Sequence, residues 1–256
     1  MERNQPLIIT DAIDHWEALK SWNKEYFLDR FGDQELHVKL GKNGIFEGPA
    51  PREKWSDHKE NALPKFVENQ LDFPELVMER PGPINLSVKE IFQMFQNKTR
   101  DPQDPKESWI SAYVEYTPMK KAFEELKKEI SEPGFEKDFF TQLELKHSNI
   151  WIGDSHTLNT LVLICTIIGD GQTLGKLHFD QFENALAMVK GAKEVILFDP
   201  RNNHQLYETY IQEATFKVTK NQESYDLVRT GLQERKCFKG SKGSILSKFS
   251  IELYGS

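Results

Sequence analysis

The spacing of apolar and polar positions divides the chain into two styles. In the first half, helical spacing and strict alternation take turns. The run PLIIT (6–10) predicts a short strand. Asp11 after it predicts the N-cap of a helix in which Ile13, Trp16 and Leu19 recur at helical spacing. EYFLDRFG (25–32) continues as helix and stops at Gly32. ELHVKL (35–40) alternates and predicts a strand, whereas 41–64, rich in Gly and Pro, predicts loop. In NLSVKEIFQMF (85–95), Ser87 and Glu90 have capping-box spacing ahead of an apolar helical stripe at Ile91, Phe92 and Phe95. RDPQDPKE (100–107) predicts a polar turn and WISAYVEY (109–116) a strand. A charged helix then starts at Thr117–Pro118 and runs through Ile130.

From about residue 149 the pattern changes to short strands punctuated by Gly, Asp and Asn: NIWIG, TLVLICTII, ALAMVK and EVILFDP. Such spacing predicts an all-β sandwich or barrel. ALAMVKGAKEVILF (185–198) predicts a hairpin about a Lys190-Gly191-Ala192-Lys193 turn. IGDSHTL (152–158) and IGDGQTL (168–174) match at five positions, sixteen residues apart. Two copies are too few for a repeat architecture, so one strand-turn position duplicated is the sharper reading and chance likeness the plainer one. No linker divides the chain. We expect one domain over 1–256, with a mixed α/β part at 1–145, a jelly-roll core at 146–220 and a divergent tail at 221–256.

Composition adds limits rather than elements. A hydrophobic fraction of 38% with 17 Phe, 7 Tyr and 5 Trp supports a substantial core and excludes a disordered chain. A formal charge of −7 disfavours a nucleic-acid-coating protein without excluding a local basic groove. Cys165 and Cys237 are too few for a disulfide framework, which predicts a reducing compartment. The N-terminal stretch has no apolar signal core, and the run LVLICTII (161–168) is about half a membrane span. The expectation is an intracellular protein, cytoplasmic or nuclear, with no membrane partner.

The candidate chemistry lies in GKLHFDQFEN (175–184). In a strand, His178 and Asp180 point to the same face. An imidazole beside a carboxylate, with a distant histidine, makes the facial triad of non-heme Fe(II) oxygenases. An H-x-D alone is more often a pair of surface polar residues. The surroundings strengthen it. Asn184 follows on the same face, and Lys193 opens the next strand, where a cation would suit the far carboxylate of a dicarboxylate cosubstrate.

With these residues in view, LHFDQFENALAMVKGAKEVILFDP (177–200) resembles the JmjC, cupin-like family of Fe(II)- and 2-oxoglutarate-dependent oxygenases, in its small protein-hydroxylase branch. The matching features are H-x-D, an Asn shortly after, and a Lys in G-x-K at the start of a strand ending L-F-x-P. The likeness extends upstream to QPLIITDAIDHWEALKSW (5–22) and WISAYVEY, and covers roughly 5–218. It implies a double-stranded β-helix, or jelly roll, with helices packed outside, hence a mainly β fold with α+β character. It implies His178 and Asp180 as Fe(II) ligands and Lys193 as the partner of the C5 carboxylate of 2-oxoglutarate. Asn184, Tyr113 and Thr173 become secondary cosubstrate contacts. The implied reaction is hydroxylation of a protein side chain, with a protein substrate as partner and a homodimer left open.

Three departures accompany the likeness. Gly175 stands three residues before the first ligand, where relatives often carry Thr or Ser, and Thr173 lies two residues further back. Relative to the family pattern the chain carries one copy too many, sixteen extra residues, and the pattern's aromatic strand position is split between Trp151 in one copy and Ile167 in the other. No histidine follows His204, so the family's second histidine is not found and GSILSKF (243–249) is only a faint echo of its strand. His204 itself follows the Lys193 strand too soon to serve. The roll is therefore expected to be incomplete, with Arg235, Lys236, Lys239, Lys242 and Lys248 blunting an open edge. Two readings of function stand: an Fe(II)/2-oxoglutarate hydroxylase, or a catalytically inactive member of the family that acts by binding.

Overall fold

The structure, a computed structural model, describes residues 6–96, 109–130, 148–153, 161–163, 185–199, 201, 208–221, 224–241 and 249–254. The helices are short: α1 (Ala18–Ser21), α2 (Lys24–Phe31), α3 (Lys65–Glu68), α4 (Val88–Gln96) and α5 (Met119–Ala122). The strands are β1 (Glu35–Lys42), β2 (Gly48–Pro51), β3 (Leu76–Arg80), β4 (Gly82–Ser87), β5 (Ile110–Pro118), β6 (Asn149–Gly153) and β7 (Leu161–Leu163). They continue as β8 (Ala192–Leu197), β9 (Glu208–Thr215), β10 (Lys217–Asn221), β11 (Ser224–Val228), β12 (Leu232–Ser241) and β13 (Phe249–Tyr254).

These strands form an antiparallel five-stranded sheet in the order β4-β1-β5-β6-β7 and a four-stranded sheet in the order β12-β9-β3-β2. In the second sheet, β3 and β9 run parallel. Two further pairs are β10-β11 and β13-β8. The mainly β, largely antiparallel architecture expected from the sequence is present. β2 carries Pro49 and Pro51 and lies at the edge of its sheet, where a missing N–H breaks no ladder. Arg235, Lys236 and Lys239 fall on β12, at the opposite edge of that sheet.

One core joins the helices to the sheets. Leu36, Val38 and Leu40 of β1, Val114 of β5 and Ile150 and Ile152 of β6 are all buried in it. They share that core with Trp16, Trp22, Phe27, Phe31, Phe123 and Leu126. The Phe123 ring meets those of Phe31 and Phe27 edge-on at 5.0 and 5.8 Å. Burying each such side chain contributes about 2 kcal/mol. The Glu129 carboxylate latches the helices in place, accepting from Trp22 Nε1 at 2.8 Å, Ser21 Oγ at 3.0 Å, Arg30 at 2.9 Å and the Tyr26 hydroxyl. The capping box at α4 is formed, with Glu90 N–H donating to Ser87 Oγ at 3.2 Å and Ser87 N–H donating to Glu90 Oε2 at 2.9 Å. Lys220 of β10 also donates to Glu90 at 2.6 Å, tying the β10–β11 hairpin to this helix.

Several sequence expectations change. Residues 6–9 are irregular, and Leu7, Ile8 and Ile9 are exposed rather than in a strand. Asp11 has φ 64°, a left-handed backbone that turns the chain, so the helix begins only at Ala18. The helix expected over 117–130 is instead α5 followed by a 3-10 turn at Glu124–Lys128, because Phe123 leaves helical angles as it enters the core. The hairpin expected over 185–198 is replaced by a long-range pairing. Only Ala187 in 185–190 makes a bridge, and β8 pairs with β13. The tail from 221 onward contributes β11, β12 and β13, paired with β10, β9 and β8. Residues 100–107, most of 154–184, and Lys242 and Lys248 lie outside the described residues. No helix among the described residues is long and apolar enough to cross a membrane.

Candidate functional site

Alternation along β1 and β5 gives the five-stranded sheet a second face. Tyr113 on β5 lies directly opposite Lys39 on β1 and Gly153 on β6. Its neighbours on that face are therefore Lys39, Glu115 two positions along, and Trp151 two positions from Gly153. Tyr113, Trp151 and Phe46 are 5%, 4% and 6% exposed and form an aromatic cluster separate from the main core. The rings of Phe46 and Tyr113 lie 5.2 Å apart, tilted by 47°.

Charged groups adjoin this cluster. Lys39 forms an ion pair with Glu115, across from the strand position that carries Tyr113. Glu47, next to Phe46, pairs with Arg80 at the end of β3. Arg80 donates in turn to Glu213 of β9, from Nε at 3.1 Å and from the guanidinium tip at 2.7 Å. These contacts link the turn after β1 to the four-stranded sheet. Burial pulls the Lys39 ammonium below its ordinary lysine range; the field of Glu47 opposes that shift and that of Arg80 adds to it. A shallow depression of about 310 Å³ lies over Glu35, His37, Lys39 and Glu115.

Of the residues expected in the site, the structure places two. Tyr113 stands as described. Lys193 sits on β8 opposite Leu253 of β13, so its strand has a partner from the C-terminal stretch. His178, Asp180, Asn184 and Thr173 lie outside the described residues, as do His147, His156 and His204. The remaining histidines gather nothing. His15 and His37 are exposed, and His58 Nδ1 meets the Trp55 carbonyl at 2.7 Å within a local turn. Among the described residues, no group of three or more His, Cys, Asp or Glu could hold a metal ion. The donor set of His178 and Asp180, one imidazole and one carboxylate, is of the kind that suits Fe(II). Tyr113 is a buried, hydroxyl-bearing side chain packed against the Phe46 ring. Sequence reasoning missed Phe46 and the Lys39–Glu115 pair. The signal for the pair was present, since Lys39 and Glu115 are charged residues inside alternating strands. Phe46 gave none, because it sits in a stretch that reads as loop.

Comparison with known proteins adds the family. A model of the cupin-like domain matches residues 1–239. Two curated relatives from Dictyostelium discoideum are similar to the chain. JmjC domain-containing protein E is 23% identical over 220 residues, which cover 84% of this chain and 52% of the relative. JmjC domain-containing protein F is 23% identical over 206 residues, covering 79% of this chain and 40% of the relative. The chain thus spans about half or less of the length of these relatives. With a family match over most of its length and a mainly antiparallel β architecture to go with it, the chain belongs to the cupin-like, JmjC-related domain family.

Proposed function

We propose that this protein is an Fe(II)- and 2-oxoglutarate-dependent oxygenase that hydroxylates a protein side chain. The family includes such oxygenases, and the observation that carries the reading here is Tyr113. It is a buried phenol on the polar face of the sheet, walled by Phe46 and Trp151. In this reading His178 and Asp180 hold the iron and Lys193 pairs with the far carboxylate of 2-oxoglutarate. Asn184, Tyr113 and Thr173 complete the cosubstrate contacts. When bound, iron would supply the site at which O2, the oxidant, is spent on two oxidations together: 2-oxoglutarate to succinate and CO2, and an unactivated C–H bond to an alcohol. The chain's own residues bind and orient. Tyr113 is buried, and a hydrogen bond made to a ligand away from water is stronger than one made in it. A lysine at position 193 acts as a point charge for a carboxylate without demanding bidentate geometry.

A second reading, a family member that binds without turnover, is supported by one feature. Strand β13, FSIELY, lies beside the Lys193 strand and carries no histidine. One experiment separates the two. Succinate formation from 2-oxoglutarate is measured with and without iron, in the wild type and in Asp180→Ala. Iron-dependent succinate that disappears in Asp180→Ala supports the oxygenase. A folded, iron-supplied sample that yields no succinate and loses its metal on dialysis overturns it in favour of the binding protein.

A further inference from the structure

The turn between β1 and β2 is held more firmly than its loop-like sequence suggests. Asn43 and Gly44 both adopt left-handed backbone, with φ 54° and 71°. Asn43 N–H donates to the Trp109 carbonyl at 2.9 Å, and Trp109 N–H donates back to Asn43 Oδ1 at 3.0 Å. Gly44 N–H donates to Ser111 Oγ at 3.0 Å, and that hydroxyl donates to the Gly41 carbonyl at 3.2 Å. Ile45 N–H closes the turn on the Lys42 carbonyl at 2.9 Å. The turn then folds directly over Gly41. A Cβ at that position would lie 2.6 Å from the Ile45 carbonyl oxygen and 3.2 Å from the Phe46 ring. Only a glycine allows that approach.

Every one of these ties ends on β1, on Trp109 just before β5, or on Ser111 of β5, the strand that carries Tyr113. Their joint result is to deliver one side chain, Phe46, onto the Tyr113 ring, with Trp151 as the third member of the cluster. Ile45, the residue before it, points out and is 44% exposed, while Phe46 is buried outside the main core. The main core alone does not explain why Phe46 is buried there. Its partners are Tyr113 and Trp151.

We infer that Phe46 is a positioning residue for Tyr113, mounted on a turn locked to β5 so that the Tyr113 hydroxyl presents a single orientation to a ligand on the polar face. The inference deepens the proposed function and rests on the role given there to Tyr113. A buried tyrosine ring packed against Phe46 has fewer orientations to lose on binding, so part of the ordering cost is met before the ligand arrives.

The test is a double-mutant cycle on 2-oxoglutarate affinity, read by calorimetry under anaerobic conditions with Mn(II) in place of iron. Tyr113→Phe and Phe46→Ala are each expected to weaken binding about ten-fold, and the double variant to bind no worse than Tyr113→Phe alone. Ser111→Ala, which frees the turn without touching either ring, is expected to weaken binding a few-fold in the same direction. Losses that add in the double variant would overturn the inference, because Phe46 would then act independently of the Tyr113 hydroxyl. A second readout needs no ligand. With 3-fluorotyrosine incorporated, the resonance missing from Tyr113→Phe reports on Tyr113. One narrow line in the wild type that splits or broadens in Phe46→Ala and Ser111→Ala supports the inference; an equally narrow line in both variants overturns it. If wild type binds no 2-oxoglutarate, the proposed cosubstrate fails, and the fluorine lines still decide whether Phe46 positions Tyr113.

Discussion

The two faces of the five-stranded sheet come from the same strands and have opposite characters. On one, Leu36, Val38, Leu40, Val114, Ile150 and Ile152 meet the helices in a core of aliphatic and aromatic side chains. On the other, residues one step along the same strands are Lys39, Tyr113, Glu115 and Trp151, joined by Phe46 and linked through Glu47 to Arg80. The first face is held by area removed from water, which is non-directional and insensitive to small shifts. The second is held by ion pairs and ring contacts, which depend on position. A sheet can therefore spend one face on stability and leave the other for a site, and here the alternation of two residues per repeat makes the division.

The sharpest way to break this contrast is through the apolar face. Phe27 is fully buried and touches the rings of Trp22, Tyr26, Phe31 and Phe123. Phe27→Ala is expected to cost about 3–5 kcal/mol in denaturant unfolding, while the folded fraction keeps the 2-oxoglutarate affinity that the proposed function requires. A matching loss of affinity would mean that the two faces are not separable.

A smaller effect is expected at the latch between the helices and the chain that leads into β6. Burial alone would raise the Glu129 carboxyl, but hydrogen bonds from Tyr26, Trp22, Ser21 and Arg30 outweigh it and hold the group below its ordinary value. Its stabilising contribution is therefore fully present above the ordinary carboxyl range, about pH 4.3, and is lost as pH falls through the lower folded-state value. Glu129→Gln is expected to cost about 2 kcal/mol near neutrality. The gap from wild type should close on acidification, as followed by thermal unfolding across pH. A gap that stays constant with pH would show that packing, not charge, holds the latch.

The smallest effect belongs to the polar face. Lys39→Met leaves Glu115, whose side chain is 16% exposed, without its partner, and is expected to cost about 1 kcal/mol. Adding Glu115→Gln should recover most of that, since removing both members of a half-buried pair is milder than removing one. If the double variant loses the sum of the two single effects, the pair does not act as a unit.

Much of the fold was legible in order. β1, β5 and β6 lie where alternation places them, α2 ends at Phe31 as its pattern predicts, and the capping box of Ser87 and Glu90 is formed as spelled. These features depend on residues within one or two turns of each other, and such information is local. The expectations that changed all depended on something distant. The apparent hairpin over 185–198 gave way to a pairing of β8 with β13, more than fifty residues away, because a strand takes the partner that the whole roll offers. The helix expected through Ile130 broke at Phe123, whose ring is needed in a core with Phe27 and Phe31. Of the candidate site, the place of Tyr113 on its strand was legible from the alternation of β5, whereas Phe46 was hidden in a turn whose geometry no spacing rule foretells.

The sequence by itself determined the alternation of β1 and β5, the caps and the candidate ligand types, because each is written in side-chain chemistry at short range. Only the tertiary structure decided that Tyr113 and Trp151, on the polar face of the sheet, would be buried in a cluster apart from the main core. It also decided that the C-terminal stretch would supply a partner for the Lys193 strand, and that Phe46 would reach Tyr113. Those outcomes follow from burying the largest apolar area at once, a property of all the elements together that no single segment carries.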